Sequence, residues 1–408
     1  MHARRQAARC AKAHGVRGTG DALLWGMASQ PASQPSRSGS CPEPAGPPGL
    51  REHLARLYPG ATVVAIEPLG PDAGATASRK DGGGSTTKAA GYGLPVRIEL
   101  RDGDTTRLLV WRVASANEFG HDRRADRAAV MVQAFEDFAR IPQHVQAVDL
   151  GVIRGGDLVS TRDASEHYLI TRYAPGTIYA HDLRRIAAER TATPRDVDRV
   201  DALARYLAAL HTPISPPGAR YRRAIRDLVG SGEGIYGIID GYPPEVPGAP
   251  ASRLSAIEAR CATWRWRLRG RDGRLTRTHG DFHPFNIVFD GDAPALLDAS
   301  RGGCGDPADD VTALAINFVL FALDAPAAWR HGLGVLWRHL WSRYLAERPD
   351  DELLAVAPPF FAWRALVVAN PAFYPRMTGE ARDKLLGFAE DVLDERALDP
   401  TWAEELFR

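Results

Sequence analysis

The spacing of apolar residues predicts a short helix followed by strands in the first part of the chain. Residues 50–57 have helical spacing, and residues 61–66 (ATVVAI) have the β-branched composition of a strand. Two further strand-like runs, residues 96–100 and 107–114, are separated by an Asp-Gly-Asp turn. Because an Asp-Gly pair between β-rich runs is typical of a tight turn, these two runs are predicted to form a hairpin.

One helix and two more strands are predicted before the composition changes. Residues 125–139 place their apolar side chains on one helical face. Residues 147–153 and 168–173 have the character of strands. Together with the earlier strands they would complete a mostly antiparallel sheet with one helix.

Beyond residue 175 the pattern changes to that of helices. The clearest helix covers residues 194–210, where Thr193 is a suitable N-cap, Pro194 stands at the first position and Asp196 follows three residues after the cap. Runs of strands followed by runs of helices favour segregated packing. The predicted fold class is therefore α+β, with a β-rich N-terminal lobe and a mainly helical C-terminal lobe.

The first 49 residues differ in kind from the rest. They contain six Lys and Arg but only two Asp and Glu, and residues 27–49 are rich in Ser, Pro and Gly. Such a segment buries too little apolar surface to offset the entropy lost on ordering, so disorder is predicted. An Arg-rich, acid-poor start can mimic a transit peptide, but we interpret it as a dispensable extension, with Met27 as an alternative start. The predicted domains are thus 1–49, 50–173 and 174–408.

Composition narrows the class of protein. The 408 residues are 44% hydrophobic and 25% charged, and 51 basic against 50 acidic residues give no reason to expect nucleic acid as the main partner. Four widely spaced cysteines form no C-x-x-C pair, so neither a zinc site nor a disulfide framework is indicated, and a reducing cytoplasm fits best. No apolar run reaches the ~18 residues that span a bilayer, so no membrane partner is expected. Nothing in the sequence indicates an oligomeric state.

The charge is distributed unevenly along the chain. Residues 306–408 hold 17 acidic against 10 basic residues. An acidic C-terminal third could attract a cationic substrate, and solvated helix faces are the alternative explanation.

One polar segment carries the candidate chemistry. It reads THGDFHPFN at residues 278–286 and is followed by strand-like residues 287–289, an Asp-Gly turn and strand-like residues 295–297. Folding that hairpin brings Asn286 and Asp298 near each other at its open end. Amide and carboxylate oxygens are hard ligands, so this pair is suited to a Mg²⁺ ion that also binds phosphate.

Asp281 lies five residues before Asn286, on the loop that leads into the hairpin. A carboxylate there can accept the proton of a hydroxyl that attacks a phosphate, while an Asn and a second Asp hold the metal. The spacing of His279, Asp281 and Asn286 is that of the kinase loop H-R-D followed by four residues and Asn, with Gly280 in place of the Arg. The segment therefore predicts phosphoryl transfer.

The pattern H-G-D-x-H-P-x-N, a later Asp and then G-D-P-x-x-D resembles the signature of the aminoglycoside phosphotransferase family, which is similar to choline, ethanolamine, homoserine and fructosamine kinases. The resemblance implies a protein-kinase-like fold whose β-rich N-lobe binds the nucleotide and whose helical C-lobe carries the catalytic loop and the acceptor site. By position, it implies that Asp281 is the catalytic base and that Asn286 and Asp298 are metal ligands. It also implies that His279 supports the loop and that Asp306 braces it from the next helix.

Several of these residues also have a structural explanation. Asp281 and Asp298 could be loop carboxylates that end strands, a common place for Asp. Asp306 precedes Pro307 and is a good N-cap, which we consider the larger part of its contribution. His283 is interpreted as a packed loop residue without a chemical role. Taken together, however, the spaced polar positions favour the functional interpretation.

The nucleotide side of the site would need a cation on the third strand to hold the α- and β-phosphates. Arg112 occupies that position, where related enzymes usually carry Lys, and an Arg can bind phosphate with two hydrogen bonds. The alternative is a strand-end charge in solvent. The usual partner is a Glu on the following helix, but Asp126 near its start and Glu136 near its end both depart from that pattern.

A Gly-rich segment, residues 70–93, contains Lys88 and no G-x-G-x-x-G. Its backbone N–H groups could cover the phosphates, with Lys88 as a second nucleotide-binding cation, or it could be a flexible surface loop. Residues 168–173 would form the linker whose backbone meets the adenine ring.

These observations predict an ATP- or GTP- and Mg²⁺-dependent phosphotransferase that moves the γ-phosphate to a hydroxyl of a small molecule. The acceptor is expected against the helical lobe, walled by residues 230–250 and 349–375, and an aminoglycoside or another amine or sugar alcohol fits the acidic C-terminal third. A metabolic kinase acting on choline, a sugar or homoserine is the alternative among enzymes. A nucleotide-binding pseudokinase that serves as a regulatory module is the alternative from another class, motivated by the missing Glu.

Overall fold

The computed structural model describes residues 46–68, 95–299, 301, 303–395 and 397–408. The predicted N-terminal extension up to residue 45 and the Gly-rich segment lie outside these residues. The chain forms two compact units, divided at residue 111 within the described part. The division that the sequence predicts, at residue 173, stays a prediction.

The first unit is a small antiparallel sheet with one helix. Its elements are α1 (Leu50–Leu57), β1 (Thr62–Pro68), β2 (Val96–Asp102) and β3 (Thr105–Trp111). The strand order is β1-β2-β3, and Val96, Ile98 and Leu100 alternate along the central strand to form its buried face. The predicted Asp-Gly hairpin is confirmed as the β2–β3 turn, although the third strand ends at residue 111 and not at residue 114.

The second unit opens with a helix and a separate hairpin. These elements are α2 (Arg124–Asp137), β4 (Gly151–Arg154) and β5 (Asp157–Ser160). The helix predicted at residues 125–139 is confirmed. The prediction of one mostly antiparallel sheet is wrong for the described residues, in which β4 pairs with β5 and the strands form three small sheets.

Residues 168–173, predicted to be a strand and the linker between the lobes, do not form a strand. Tyr168, Leu169 and Ile170 are each more than 80% exposed. An alternating run becomes a strand only where a neighbour accepts its hydrogen bonds, since β-propensity depends on context. None of the described strands pairs with residues 168–173. The alternating pattern of these residues alone is therefore not sufficient to form a strand.

Helices dominate the remainder of the second unit, as predicted. The elements are β6 (Thr177–Ile178), α3 (Ala180–Glu189), α4 (Pro194–Leu210), α5 (Gly218–Gly230), α6 (Ile235–Asp240), α7 (Ala251–Leu268), β7 (Ile287–Asp290), β8 (Ala293–Leu296), α8 (Pro307–Asp324), α9 (Gly334–Glu347), α10 (Leu353–Val356), α11 (Pro358–Ala369) and α12 (Gly379–Asp394). The α+β class is therefore confirmed. Within the described parts of the chain, no helix is both long and apolar enough to cross a membrane.

The core of the second unit is built around α8 and α11. Both helices are apolar on nearly all sides and are buried along most of their length, as expected for helices surrounded by protein. They pack against each other, and α8 also packs against α3 and α9. The start of α8 and the middle of α11 are therefore held rigidly, which matters because both contribute side chains to the candidate site.

Helix α4 begins as its sequence predicts. Thr193 is the N-cap with extended backbone angles, and its N–H donates to Asp196 Oδ2 at 2.7 Å. Pro194 occupies the first helical position, where its missing N–H costs nothing. The helix then buries Val200, Leu203 and Leu207 on one face.

The third sheet, in the order β6-β7-β8, forms the frame of the candidate site. Gly176 stands directly before β6 with φ +123°, a conformation that side chains other than that of Gly rarely allow. A Cβ placed there would lie 2.3 Å from Phe289 O on β7. The close approach of these two backbones therefore requires Gly at this position.

We expect Gly176→Ala to destabilise the protein by about 3 kcal/mol, because it combines an unfavourable φ with backbone overlap. Gly291→Ala is the matched control, since Gly291 also has a positive φ, +62°, but no atom lies within 4 Å of a Cβ built there. It should cost only about 1 kcal/mol. Urea unfolding of the two variants measures the difference, and equal losses would show that the backbone approach is not the constraint.

Candidate active site

The β7–β8 hairpin brings the two predicted metal ligands to one end of the sheet. Its strands pair in register from Ile287 with Leu296, so the residues just outside them meet at the open end. There Leu297 N–H donates to Asn286 O at 2.9 Å, which fixes the next residue, Asp298, beside Asn286. Asp298 is exposed and has φ +45°, the left-handed conformation that Asp tolerates better than most residues.

The loop before the hairpin is organised by its own side chains. His279 Nδ1 accepts the Asp281 N–H at 3.3 Å, and His283 Nδ1 accepts the Phe285 N–H at 3.2 Å. Asn286 Nδ2 donates to both Asp281 O, at 3.1 Å, and Asp281 Oδ2, at 3.2 Å. The residues that the sequence predicts as base and metal ligand are therefore in direct contact.

Asp281 is surrounded by donors on both carboxylate oxygens. Arg364 Nη1 donates to Oδ1 at 2.7 Å, and Arg301 Nη2 lies 3.6 Å from the same oxygen. His283 Nε2 lies 3.2 Å from Oδ2. Burial pushes the pKa of Asp281 upward, but the hydrogen bond from His283 and the charges of Arg364 and Arg301 outweigh it and hold the pKa well below its usual range. The carboxylate is therefore ionised.

The sequence does not predict that His283 and Arg364 contact the Asp281 carboxylate. His283 was interpreted as a packing residue, whereas its ring lies against the Asp281 carboxylate, with Nδ1 committed to a backbone N–H. Arg364 lies 83 residues beyond Asp281. A signal for it existed, because it is the single charge in the apolar run PPFFAWRALVVA of α11, and a buried charge requires a partner.

The loop is braced from α8 by Asp310. Its carboxylate accepts the N–H groups of His279, at 2.7 Å, and of Gly280, at 2.8 Å. His211 Nε2 lies 3.2 Å from the same carboxylate, and Tyr344 OH lies 2.6 Å from His211 Nδ1. Burial alone would raise the pKa of Asp310, but these hydrogen bonds hold it below its usual range. A buried chain of polar groups thus ends on the loop at residues 279–286.

The hydrogen bonds described for Asp306 serve other partners, and its expected role as a brace of the loop stays a prediction. Asp306 is the N-cap of α8, where it accepts the Ala308 N–H at 3.0 Å, so its structural explanation holds. Its two oxygens also accept from Arg274, at 2.8 and 3.0 Å, and from Tyr221 OH, at 2.8 Å. The brace that these contacts show is Asp310, about one helical turn further along α8.

The predicted nucleotide-binding cations are not brought to this cluster by the described residues. Arg112 follows β3, is exposed, and lies over the ring of Phe138 with 5.4 Å to its centroid. Its candidate partner Asp126 is bound instead by Arg223, at 2.9 and 3.1 Å. Lys88 lies outside the described residues. The roles of Arg112 and Lys88 therefore stay predictions.

A divalent metal ion fits the open end of the hairpin by donor chemistry. Asn286 commits its Nδ2 to Asp281, which leaves the amide oxygen available, and the exposed Asp298 offers a carboxylate. In the described part of the chain, no group of three or more His, Cys, Asp and Glu side chains could hold a metal on its own. Two protein oxygens completed by phosphate and water are the usual arrangement for Mg²⁺.

A narrow cleft opens beside the loop, within the second unit. It holds about 450 Å³ of empty space, part of it open to solvent, and is lined by Gly280, Arg301, Asp309 and Trp363 among others. Trp363 belongs to the predicted acceptor wall at residues 349–375. The guanidinium carbons of Arg301 and Arg364 lie 3.9 and 4.0 Å from the centroid of its ring. Two cations therefore share one aromatic ring next to Asp281.

The chain belongs to the phosphotransferase enzyme family, whose model matches residues 123–347, more than half of the chain. Members of this family have a protein-kinase-like fold, which is also the fold that the sequence motif implies. The matched segment includes the catalytic loop, the β7–β8 hairpin and α8, and it ends before Arg364. No curated protein matches the chain closely enough to count as a relative.

Solved structures similar to this chain include kinases and phosphotransferases with low sequence identity. A glucosamine kinase is 17% identical, with a TM-score of 0.36, over 56% of this chain and 60% of its own, less than two thirds of its length. A choline/ethanolamine kinase family protein from Mesorhizobium loti is 15% identical, with a TM-score of 0.33, over 76% and 88%. An aminoglycoside phosphotransferase from Streptomyces rimosus is 16% identical, with a TM-score of 0.32, over 66% and 89%. Similarities this low do not identify the substrate of this protein.

Proposed function

We propose that the protein transfers the γ-phosphate of ATP or GTP to a hydroxyl group of a small molecule. One observation carries the proposal: the ionised carboxylate of Asp281 contacts Asn286, and Asp298 lies beside Asn286 at the end of the same hairpin. This is the division between a carboxylate that orients the nucleophile and oxygen ligands for a metal that phosphoryl transfer requires. Membership of the phosphotransferase family supports the same chemistry.

Asp281 acts in this proposal by orienting the acceptor. Its low pKa makes it a weak base, but an ionised carboxylate accepts a strong hydrogen bond from an acceptor O–H and aligns the oxygen. The acceptor oxygen then bonds to the γ-phosphorus as the bond from that phosphorus to the bridging oxygen breaks. The hydroxyl proton passes to Asp281 late in the step and from there to solvent, because the bond to the incoming oxygen forms late in a loose transition state.

Asn286 Oδ1 and the Asp298 carboxylate would hold Mg²⁺, which supplies charge neutralisation for the phosphates. Asp310 and Asn286 keep the loop rigid, so that Asp281 meets the acceptor in one position. Arg112 and Lys88 are proposed to hold the nucleotide phosphates, and that part of the proposal rests on the sequence pattern alone.

The acceptor is proposed to be an aminoglycoside-like molecule or another amine or sugar alcohol. The support is the excess of 17 acidic over 10 basic residues between positions 306 and 408. A choline, sugar or homoserine kinase would satisfy the same site, because fold and catalytic loop do not determine the acceptor.

The test measures nucleotide consumption by the full chain with a panel of aminoglycosides, glucosamine, choline, ethanolamine, homoserine and simple sugars, each with and without Mg²⁺. We expect one class of acceptor to stimulate a Mg²⁺-dependent rate, with one phosphate transferred per nucleotide. Nucleotide binding without turnover across the whole panel would contradict the proposal and would favour the regulatory nucleotide-binding module.

Asp298→Asn tests the metal assignment on the same assay. Asn keeps the left-handed backbone of this position accessible but removes the charge, so the Mg²⁺ concentration for half-maximal rate should rise at least about tenfold. Asp292→Asn is the control, because Asp292 lies in the turn of the same hairpin and pairs only with exposed Arg195, at 3.1 Å. A Mg²⁺ requirement that stays unchanged in Asp298→Asn would remove this residue from the metal site.

A further inference from the structure

Arg364 is a charged side chain placed in the most apolar part of the protein. It stands in the middle of α11 between buried residues, and only 6% of its side chain is exposed. A guanidinium is costly to remove from water unless charged or carbonyl partners replace the lost hydrogen bonds. Its position seventeen residues beyond the end of the family-matched segment means that family membership assigns it no role.

The hydrogen-bond partners described for Arg364 lie in the loop at residues 279–286 and at the start of α8. Nη1 donates to Asp281 Oδ1 at 2.7 Å, and Nη2 donates to Gly280 O at 3.0 Å and to Asp309 Oδ1 at 2.9 Å. One planar group therefore joins three segments that are distant in sequence. The short, charged bond to Asp281 is of the strong kind, and the fork fixes its direction.

The two carboxylate oxygens of Asp281 differ in how strongly neighbouring donors bind them. Oδ1 is taken by Arg364 at 2.7 Å, with Arg301 at 3.6 Å beside it. Oδ2 receives only two longer contacts, of 3.2 Å each, from His283 Nε2 and Asn286 Nδ2. Contacts of 3.2 Å are weaker than the charge-assisted bond that Arg364 makes at 2.7 Å. The Oδ2 edge is therefore the one on which an additional O–H can find an acceptor.

We infer that Arg364 is a positioning residue, which holds Asp281 by Oδ1 so that Oδ2 faces the acceptor hydroxyl. The inference rests on the proposed phosphotransferase function. A carboxylate free to rotate about its Cβ–Cγ bond would present either oxygen in several directions, and misplacement of a reacting group by about 1 Å costs on the order of 10²-fold in rate. Asp309 completes the arrangement, because it fixes the second nitrogen of the guanidinium.

A purely structural role predicts a different outcome, and the chain offers a matched control for it. Arg382 on α12 is also buried, with 3% exposure, and its guanidinium bonds to the carbonyls of Ala369, Pro247 and Met377. It joins segments of the same helical region but does not contact the catalytic loop. A substitution at Arg382 should therefore reproduce any loss that comes from destabilisation alone.

The experiment compares Arg364→Gln, Arg364→Lys and Arg382→Gln in steady-state phosphorylation, well below their unfolding temperatures. We expect Arg364→Gln to lower kcat on the order of 10²-fold with nearly unchanged KM values, since both substrates still bind. Arg364→Lys should lower kcat only roughly tenfold, because an ammonium group keeps the charge but lacks the two parallel donors of the guanidinium. Arg382→Gln should keep kcat within about threefold of the wild type. Equal losses in Arg364→Gln and Arg382→Gln, or a wild-type kcat in Arg364→Gln, would overturn the inference.

A second comparison uses Asp281→Asn, because a positioning residue has nothing left to position once its carboxylate is gone. Adding Arg364→Gln to Asp281→Asn should lower kcat less than about twofold further, as for residues that act as a unit. If Arg364→Gln lowers kcat as much in the Asp281→Asn variant as it does in the wild type, the inference is overturned.

The contact between Asp281 and Arg364 can also be measured without any enzymatic turnover. A failure of this inference can therefore be distinguished from a failure of the proposed function. If the wild type phosphorylates no acceptor, the proposed function fails and so does the positioning role, whereas the contact is still measurable in thermal unfolding. The double variant Asp281→Asn, Arg364→Gln should then melt higher than the sum of the two single shifts predicts, because neither partner is left unpaired. Additive shifts would show that the two residues do not interact and would overturn the inference by themselves.

Discussion

Asp281→Asn is expected to lower the rate of acceptor phosphorylation at least about 10³-fold, which is within the range attributed to a positioned acid or base group. The substitution keeps the shape of the side chain and removes the charge that aligns the acceptor hydroxyl. It also places an amide where Arg364, His283 and Asn286 all direct donors, so one of these contacts becomes unfavourable. Nucleotide affinity should change little, because Asp281 contacts the acceptor and not the phosphates in this mechanism.

The measurement is kcat with the best acceptor of the panel, beside equilibrium binding of the nucleotide. Asp290→Asn is the control, because Asp290 ends β7 on the same hairpin and is exposed to solvent. It should retain the wild-type rate within about twofold. An Asp281→Asn enzyme with more than a tenth of the wild-type rate would remove Asp281 from the reaction.

Asp306→Asn is expected to lower the free energy of unfolding by about 2–3 kcal/mol, although Asp306 lies outside the loop at residues 279–286. Asp306 is 1% exposed and accepts two hydrogen bonds from Arg274, itself almost buried. The amide keeps the N-cap of α8, since Asn caps helices as well as Asp does. The loss should therefore come from the weakened bonds to Tyr221 OH and to Arg274, whose guanidinium keeps the Asp350 carboxylate as a charged partner at 2.7 and 3.0 Å.

Asp399→Asn provides the comparison for that prediction. Asp399 is also an N-cap directly before a Pro, and it accepts the Thr401 N–H at 2.8 Å, but the bond is exposed and involves no Arg. Its substitution should change the free energy of unfolding by less than about 0.5 kcal/mol in urea titrations. Similar small losses at both positions would show that the bond between Asp306 and Arg274 contributes little to stability.

The parts of the candidate site that depend on local sequence could be predicted. The β7–β8 hairpin follows from two apolar runs and an Asp-Gly turn, and the same hairpin brings Asn286 and Asp298 together. The N-caps of α4 and α8 are likewise encoded within four residues of each helix start. Such features need no knowledge of the rest of the chain.

The parts that depend on packing between distant segments could not be predicted in the same way. Arg364 reaches Asp281 because α11 packs on α8, and no pattern within either helix states that they meet. The choice between Asp306 and Asp310 as the brace depends on which turn of α8 lies beside the loop. The strand predicted at residues 168–173 failed for the same reason, because a strand is defined by its neighbour as much as by its own alternation.

If Arg364 positions Asp281 as proposed, a catalytically competent chain must extend at least through α11. A shortened protein that ends with the family-matched segment, at residue 347, would keep Asp281, Asn286, Asp298 and the hairpin that carries them. It would lose the guanidinium that fixes Asp281, and with it the apolar surface of α11 that covers α8. Boundaries drawn from the family match alone would therefore remove one of the two helices around which the core is built, together with the group proposed to hold Asp281.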